Sequence, residues 1–155
     1  MNKYQKIFGV GPFALTLNAV LLVLVWLLDR GLGGVRILSQ PAPIRTIGLI
    51  LIGIWACWHI WAGKTMRSWW SDDQLCTTGP FRFVRHPMYA GGLLLAGPGV
   101  ALLFNSWIVL LWPILTYPVW SILVRKEEKV LTAFFGDKYK RYCAERSRFF
   151  PRFRF

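Results

Sequence analysis

Two short segments of this chain hold residue types that do chemistry, at spacings that matter. The first is "GPFRFVRHPMYAGG", residues 79–92, where Arg82, Arg85, His86 and Tyr89 stand at the head of an apolar run. Pro87 suits the first position of a helix, because its missing N–H has no partner to lose there. His86 then falls near the cap, beside Arg85, the open backbone amides and the positive end of the helix dipole. That combination favours an anion such as a carboxylate or phosphate. Gly91 and Gly92, next to Tyr89, leave room for a ligand to approach. The second segment is Glu127 and Glu128, just past a later apolar run. A helix C-terminal end disfavours negative charge, so these acids need a cation, either Arg125, Lys126 and Lys129 or a bound one. A plainer reading is also open: Arg82 and Arg85 as interfacial anchors, His86 as a cap, and the glutamates as the first turn of a tail helix.

The elements that must position these groups are apolar. The chain has 155 residues, 55% hydrophobic, with nine tryptophans and a mean hydropathy of +0.41, which disfavours an ordinary soluble domain. A membrane-spanning helix needs about 20 apolar residues to cross a hydrocarbon core about 30 Å thick. Runs at about 11–28, 44–62, 87–104 and 107–124 approach that length, with Arg45 the one Asp, Glu, Lys or Arg inside them. The expected fold is all-α and integral to the membrane. It is one domain over residues 1–155, with four transmembrane helices and a helical tail at 125–155. The first run is followed by "DRGLGGVR", which has no small-residue cleavage site, so it is expected to be retained as a span. Asn105 and Ser106 alone separate the third and fourth runs, which forces a tight antiparallel hairpin. "YAGG" and "AGPG" let helix backbones approach closely. Pro98, Pro113 and Pro118 are expected to bend their helices. The tail pattern predicts an amphipathic helix, a break at Gly136 and a short basic-aromatic helix, lying on the membrane with its rings among the headgroups.

Charge sets the orientation. Four spans put both ends on one side, which then holds 16 of the 19 lysines and arginines, leaving Arg30, Arg36 and Arg45 opposite. The excess of basic residues predicts cytoplasmic N- and C-termini. The net charge of +12 reads as a collar for anionic lipids rather than a nucleic-acid surface, because the bases flank spans. Cys57, Cys76 and Cys143 show no paired spacing, so neither a disulfide framework nor a metal site is expected.

A tight hairpin makes the two polar segments neighbours at one membrane edge. A pocket with an anion-favouring end, a cation-favouring end and aromatic walls suits a zwitterionic nucleoside such as S-adenosylmethionine. The same residues carry a resemblance. "GPFRFVRHPMYAG" followed by "EEKVLTAFFGDKYKRY" resembles the paired signatures of the integral-membrane methyltransferases, isoprenylcysteine carboxyl methyltransferases and phospholipid N-methyltransferases among them, over residues 75–153. The resemblance implies S-adenosylmethionine as cofactor, contacted by His86, Pro87, Met88, Tyr89, Glu127 and its neighbour Glu128. Asp73, Gln74, Leu75 and Cys76 match the preceding loop, which lines the family's cofactor pocket. It also implies methyl transfer to a lipophilic or lipid-modified acceptor, with His86, Tyr89 and Glu127 as positioning groups. Phe81 replaces a usual tyrosine of the cofactor site, and the arginine expected for substrate falls at Leu123, leaving Arg125 as the nearest base. His59, ionisable and within a span, is a weaker substrate-side candidate. A related R-H-P-N-Y signature marks membrane sterol reductases that use NADPH; here Met88 replaces the asparagine. A non-catalytic membrane scaffold is the third alternative.

Overall fold

The structure is a computed structural model and describes residues 11–70 and 74–151. Five helices follow one another: α1 (Gly11–Gly31), α2 (Ala42–Trp70), α3 (Pro87–Phe104), α4 (Leu111–Phe135) and α5 (Asp137–Glu145). A 3-10 turn, Gly79–Arg82, lies ahead of α3. No strand occurs among the described residues. α1, α2 and α3 are long and apolar enough to cross a membrane. Their outward faces carry Leu15 and Leu24 of α1, Leu49, Ile50, Ile54 and Ile60 of α2, and Leu94 of α3 exposed. So large an apolar surface would be untenable in water and is what a bilayer covers. The architecture is that of a multi-pass membrane protein.

The helices depart from the sequence expectation at several points. α2 runs eight residues past position 62, to Trp70. The fourth helix starts at Leu111, not 107, and continues unbroken to Phe135. Its apolar part contains Trp112, Pro113, Tyr117, Pro118 and Trp120 and then meets a charged run, so it falls short of the other three in hydropathy. The connection before it is longer than Asn105 and Ser106. Asn105 adopts a left-handed conformation with φ 53°, and the Ser106 hydroxyl accepts the N–H groups of Ile108 and Val109 at 3.1 and 3.2 Å. That hydroxyl-capped turn delays the helix by four residues.

Of the three prolines expected to bend helices, Pro98 has the clearest consequence. It follows a π turn, Gly92–Ala96, in which Gly97 N–H reaches back to the Gly92 carbonyl. The widened turn accommodates the donor that Pro98 lacks. Pro113 falls in the first turn of α4, where no intrahelical partner is lost, so it does not act as a kink. Pro118 lies inside α4.

Close backbone approach sits where the small residues predicted it. A Cβ on Gly48 of α2 would lie 2.7 Å from the Gly99 carbonyl of α3, and one on Gly99 would lie 3.1 Å from the Gly48 carbonyl. The two spans therefore cross at glycine. The main apolar cluster gathers at the opposite end of α3: Val84, Ala90, Leu93, Trp120, Leu123, Val124 and Phe149, with Ala14 from α1. Phe149 comes from the tail, so this ring packs into the protein core rather than among headgroups as expected. Gly136, with φ 57°, turns the chain between α4 and α5. Tyr139, Tyr142 and Phe149 then bury against the protein instead of sitting among headgroups.

Candidate active site

The chain beyond α5 returns to the mouth of α3 and pairs with it. Val84 bridges Ser147 in parallel, Arg85 N–H donates to the Ser147 carbonyl at 2.8 Å, and His86 N–H donates to the Arg148 carbonyl at 3.1 Å. Tyr142 hydroxyl fixes the preceding turn by donating to the Phe81 carbonyl at 2.6 Å. Trp58 of α2 holds the first turn of α3, its indole N–H donating to the Pro87 carbonyl at 2.7 Å. Two pieces of sequence far from it, Trp58 of α2 and the returning chain at Arg148, thus hold the start of the His86–Tyr89 segment.

The two glutamates have different environments. Glu128 is buried, and both of its oxygens are committed. Arg85 donates to Oε1 through Nε at 3.0 Å and Nη2 at 2.7 Å, while Arg148 donates to Oε2 through Nε at 2.9 Å and Nη2 at 2.6 Å. Arg85 Nη1 also donates to the carbonyls of Cys143 and Arg146. The anion that the mouth of α3 receives is therefore the protein's own Glu128. Burial pushes this carboxyl up, but His86, Arg148 and Arg85 beside it outweigh burial and hold it well below the usual carboxylate range. His86 Nε2 stands 3.4 Å from Oε1.

Glu127 has no cation within ion-pair distance among the described residues. The Tyr89 hydroxyl donates to its Oε2 at 3.3 Å. Tyr89 is itself held in a stack, 5.8 Å from His86 at 12° and 4.3 Å from Trp120 at 23°. A half-buried carboxylate beside an aromatic stack, held by the Tyr89 hydroxyl, suits a compact cation attracted by its charge. The predicted juxtaposition of the α3 mouth with the exit of α4 is present, at 3.3–3.4 Å between partners.

Other expected site residues sort as follows. Gln74, Leu75 and Thr77 line a cavity of about 460 Å³ together with Phe135, Lys138 and Arg141. Its size lies within the usual range for small-molecule sites. The guanidinium and ammonium suit a carboxylate, the ring and leucine suit a nucleobase, and the amide and hydroxyl suit hydroxyl groups. The donor set thus fits the amino acid and nucleoside parts of S-adenosylmethionine. Cys76 lies between these residues but does not line the cavity; it is half-buried, and burial pushes its thiol up to about 11. Asp73 lies outside the described residues. Phe81 is half-buried and contributes its carbonyl, as above. Met88 points at α2, its methyl 3.6 Å from where a Gly63 Cβ would stand.

The space expected at Gly91 is filled, since a Cβ there would be 2.8 Å from Trp58 Cδ1 and 3.2 Å from Trp55 Cδ1. Gly92 is open within 4 Å. Leu123 is buried in the core, and Arg125 is exposed on another face of α4. His59 stacks obliquely on Trp55 at 5.5 Å, with its Nδ1 buried and unbonded. Arg148, Phe149 and Trp120 were not anticipated. The alternation of bases and aromatics in "RSRFFPRFRF" carries a signal that reads equally well as a lipid anchor.

A stretch of 84 residues, 54% of this chain, is 36% identical to the Protein-S-isoprenylcysteine O-methyltransferase of Schizosaccharomyces pombe. The match covers 34% of that protein, so the chain spans about a third of the length of the curated relative. No solved structure matches the chain. The sequence profile of the phospholipid methyltransferase family matches residues 44–138, which include α2, α3, α4 and the loop between α2 and α3. On that match, the chain belongs to the phospholipid methyltransferase family.

Proposed function

We propose that the protein is a membrane-embedded methyltransferase that moves a methyl group from S-adenosylmethionine to a lipophilic acceptor, most like an isoprenylcysteine carboxyl O-methyltransferase. The observation that carries the reading is the separation of roles between adjacent acids: Glu128 is neutralised by two arginines, while Glu127 faces the Tyr89 hydroxyl with no counter-ion among the described residues. Glu127 and the ring stack would receive the sulfonium end. Gln74, Leu75, Thr77, Phe135, Lys138 and Arg141 would hold the remainder. When bound, the cofactor supplies an electrophilic methyl group with a good leaving group. The protein's part is to align the acceptor and exclude water, an effect worth about 7–11 kcal/mol when geometry is good.

The acceptor chemistry is read from the placement of His86. A carboxylate is already ionised at neutral pH and needs no base, whereas an amine must lose a proton. His86, stacked on Tyr89 and 3.4 Å from Glu128, is occupied in the framework rather than free to act as base. Phosphatidylethanolamine N-methylation is the alternative, favoured by the burial of Leu123 where a carboxylate-binding arginine would stand. In this reading α4 is a fourth span, both termini are cytoplasmic, the cofactor enters from the cytosol, and the acceptor arrives sideways from the bilayer. The basic collar at that end would rest on anionic lipids.

Incubating the purified protein with methyl-labelled cofactor and a panel of prenylcysteines, phosphatidylethanolamine and small thiols tests this. Base-labile label in the prenylcysteine fraction is expected. Label confined to water-soluble thiols, or to none of the panel, would refute it.

A further inference from the structure

A second polar cavity lies at the other end of the spans, and the methyl-transfer reading makes no use of it. It measures about 850 Å³ and is enclosed by the end of α1, the loop after it, the start of α2 and the end of α3. Its lining includes Arg30, Arg36 and Arg45 from three separate elements, with Trp26 and Phe104 as apolar walls. α3 has 18 residues, so at 1.5 Å per residue its two ends are about 27 Å apart. That is close to the hydrocarbon thickness of a bilayer, about 30 Å. The cavity and the Glu127–Tyr89 site therefore open at opposite interfaces.

The cavity is a constructed feature rather than a gap between helix ends. Ile37 N–H donates to the Asn105 carbonyl at 3.2 Å, and Trp107 N–H donates to the Val35 carbonyl at 3.0 Å. The Asn105 side chain closes both polar groups of Leu38, accepting from its N–H at 3.0 Å and donating to its carbonyl at 2.8 Å. Asp29, the one acid in the lining, is buried and turned inward to accept a hydrogen bond from the Ser106 hydroxyl. The three arginines are exposed, and among the described residues none of them forms an ion pair. Arg30 lies over the Trp26 ring at 5.6 Å, and Arg45 Nε donates to the Leu103 carbonyl at 3.2 Å, which leaves its terminal nitrogens open. Three arginines lining one half-open cavity, with the carboxylate in that lining already hydrogen-bonded to Ser106, leave a net positive charge there.

We propose that this cavity binds the phosphodiester headgroup of a membrane phospholipid in the leaflet opposite the candidate methyl-transfer site. Guanidinium forks match phosphate oxygens bidentately. Position at an interface and the apolar walls favour a lipid over a free anion, because acyl chains can continue along Trp26 and Phe104 into the bilayer. The inference is independent of the methyl-transfer reading and stands if that reading fails.

Native mass spectrometry of the full chain in detergent, titrated with phosphatidylglycerol, reads the site directly. Arg30→Gln with Arg36→Gln is expected to lower apparent lipid affinity about tenfold or more, the loss of charged hydrogen bonds. Lys64→Gln with Arg67→Gln, at the far end of α2, should leave that high-affinity binding unchanged. Diacylglycerol, which lacks the phosphate, should not bind there. Should the double variant fail to fold, Arg36→Gln alone serves, since no described hydrogen bond or ion pair uses its side chain. Equal binding by wild type and Arg36 variants, or equal loss in the Lys64 and Arg67 control, would overturn the site. Inorganic phosphate binding as tightly as the lipid would overturn its assignment to a lipid.

Discussion

Replacing Glu128 by glutamine should separate structural from functional acid at this site. The substitution keeps the shape and removes the charge that Arg85 and Arg148 share, leaving two guanidinium groups facing a neutral amide. Severing a buried ion pair from one side costs about 3–5 kcal/mol. The Glu128 and Arg85 side chains are 11% and 10% exposed, but Arg148 is 33% exposed and recovers part of its hydration. The expected loss is therefore about 3 kcal/mol, at the lower end. For a chain of this size that corresponds to about 6–12 °C in Tm. Glu127→Gln, by contrast, weakens one 3.3 Å hydrogen bond from Tyr89 and should move Tm by less than about 3 °C. Thermal unfolding of both variants in the same detergent, followed by intrinsic tryptophan fluorescence, measures the difference. A Glu128 variant as stable as wild type, or a Glu127 variant equally destabilised, would refute the division of labour.

Acid should act through the same carboxylate. Its folded-state pKa is held below the unfolded value of about 4.3, so the stabilisation is complete above that pH and drains away as pH falls below it. Tm measured from pH 6 downward should fall more steeply in wild type than in Glu128→Gln, which has nothing to protonate there. Gly91→Ala drives a methyl group into Trp58 and Trp55 and should cost about 1–3 kcal/mol, read as a lower Tm; Gly92→Ala meets open space and should match or exceed wild type. Cys76, with its thiol pushed up to about 11, should react with maleimide about 100-fold more slowly at neutral pH than an unperturbed thiol. In a variant retaining Cys76 as its sole cysteine, that rate should climb tenfold per pH unit.

Much of the site's location was legible because membrane sequences write their geometry plainly. Uninterrupted apolar runs mark the spans, and the bounds 87–104 match α3 as observed. A short link between the third and fourth runs brings Tyr89 and Glu127 to one edge whatever the link's detailed conformation. The local turn was less legible. Whether Ser106 caps a turn and delays α4 depends on its hydroxyl meeting the amides of Ile108 and Val109, a contact that no periodicity announces. The hardest feature was the tail. Phe149 reaches the core, and Arg148 reaches Glu128, after a chain reversal through Gly136 and α5. In sequence those residues look like a surface anchor, because basic-aromatic alternation serves equally for headgroups and for a buried carboxylate. The two adjacent glutamates likewise read as a pair until the return of Arg148 sets them apart.

Equilibrium binding of S-adenosylhomocysteine to the detergent-purified protein, compared with NADPH, puts the account's central claim to its most direct test. Wild type should bind the nucleoside and not the dinucleotide. Glu127→Gln should bind the demethylated product, which carries no sulfonium, nearly as wild type does, yet lose affinity for S-adenosylmethionine itself by about tenfold or more, the worth of a charged contact. Undiminished affinity for S-adenosylmethionine in the Glu127 variant, or tight binding of NADPH to wild type, would contradict the claim that this carboxylate faces a sulfonium.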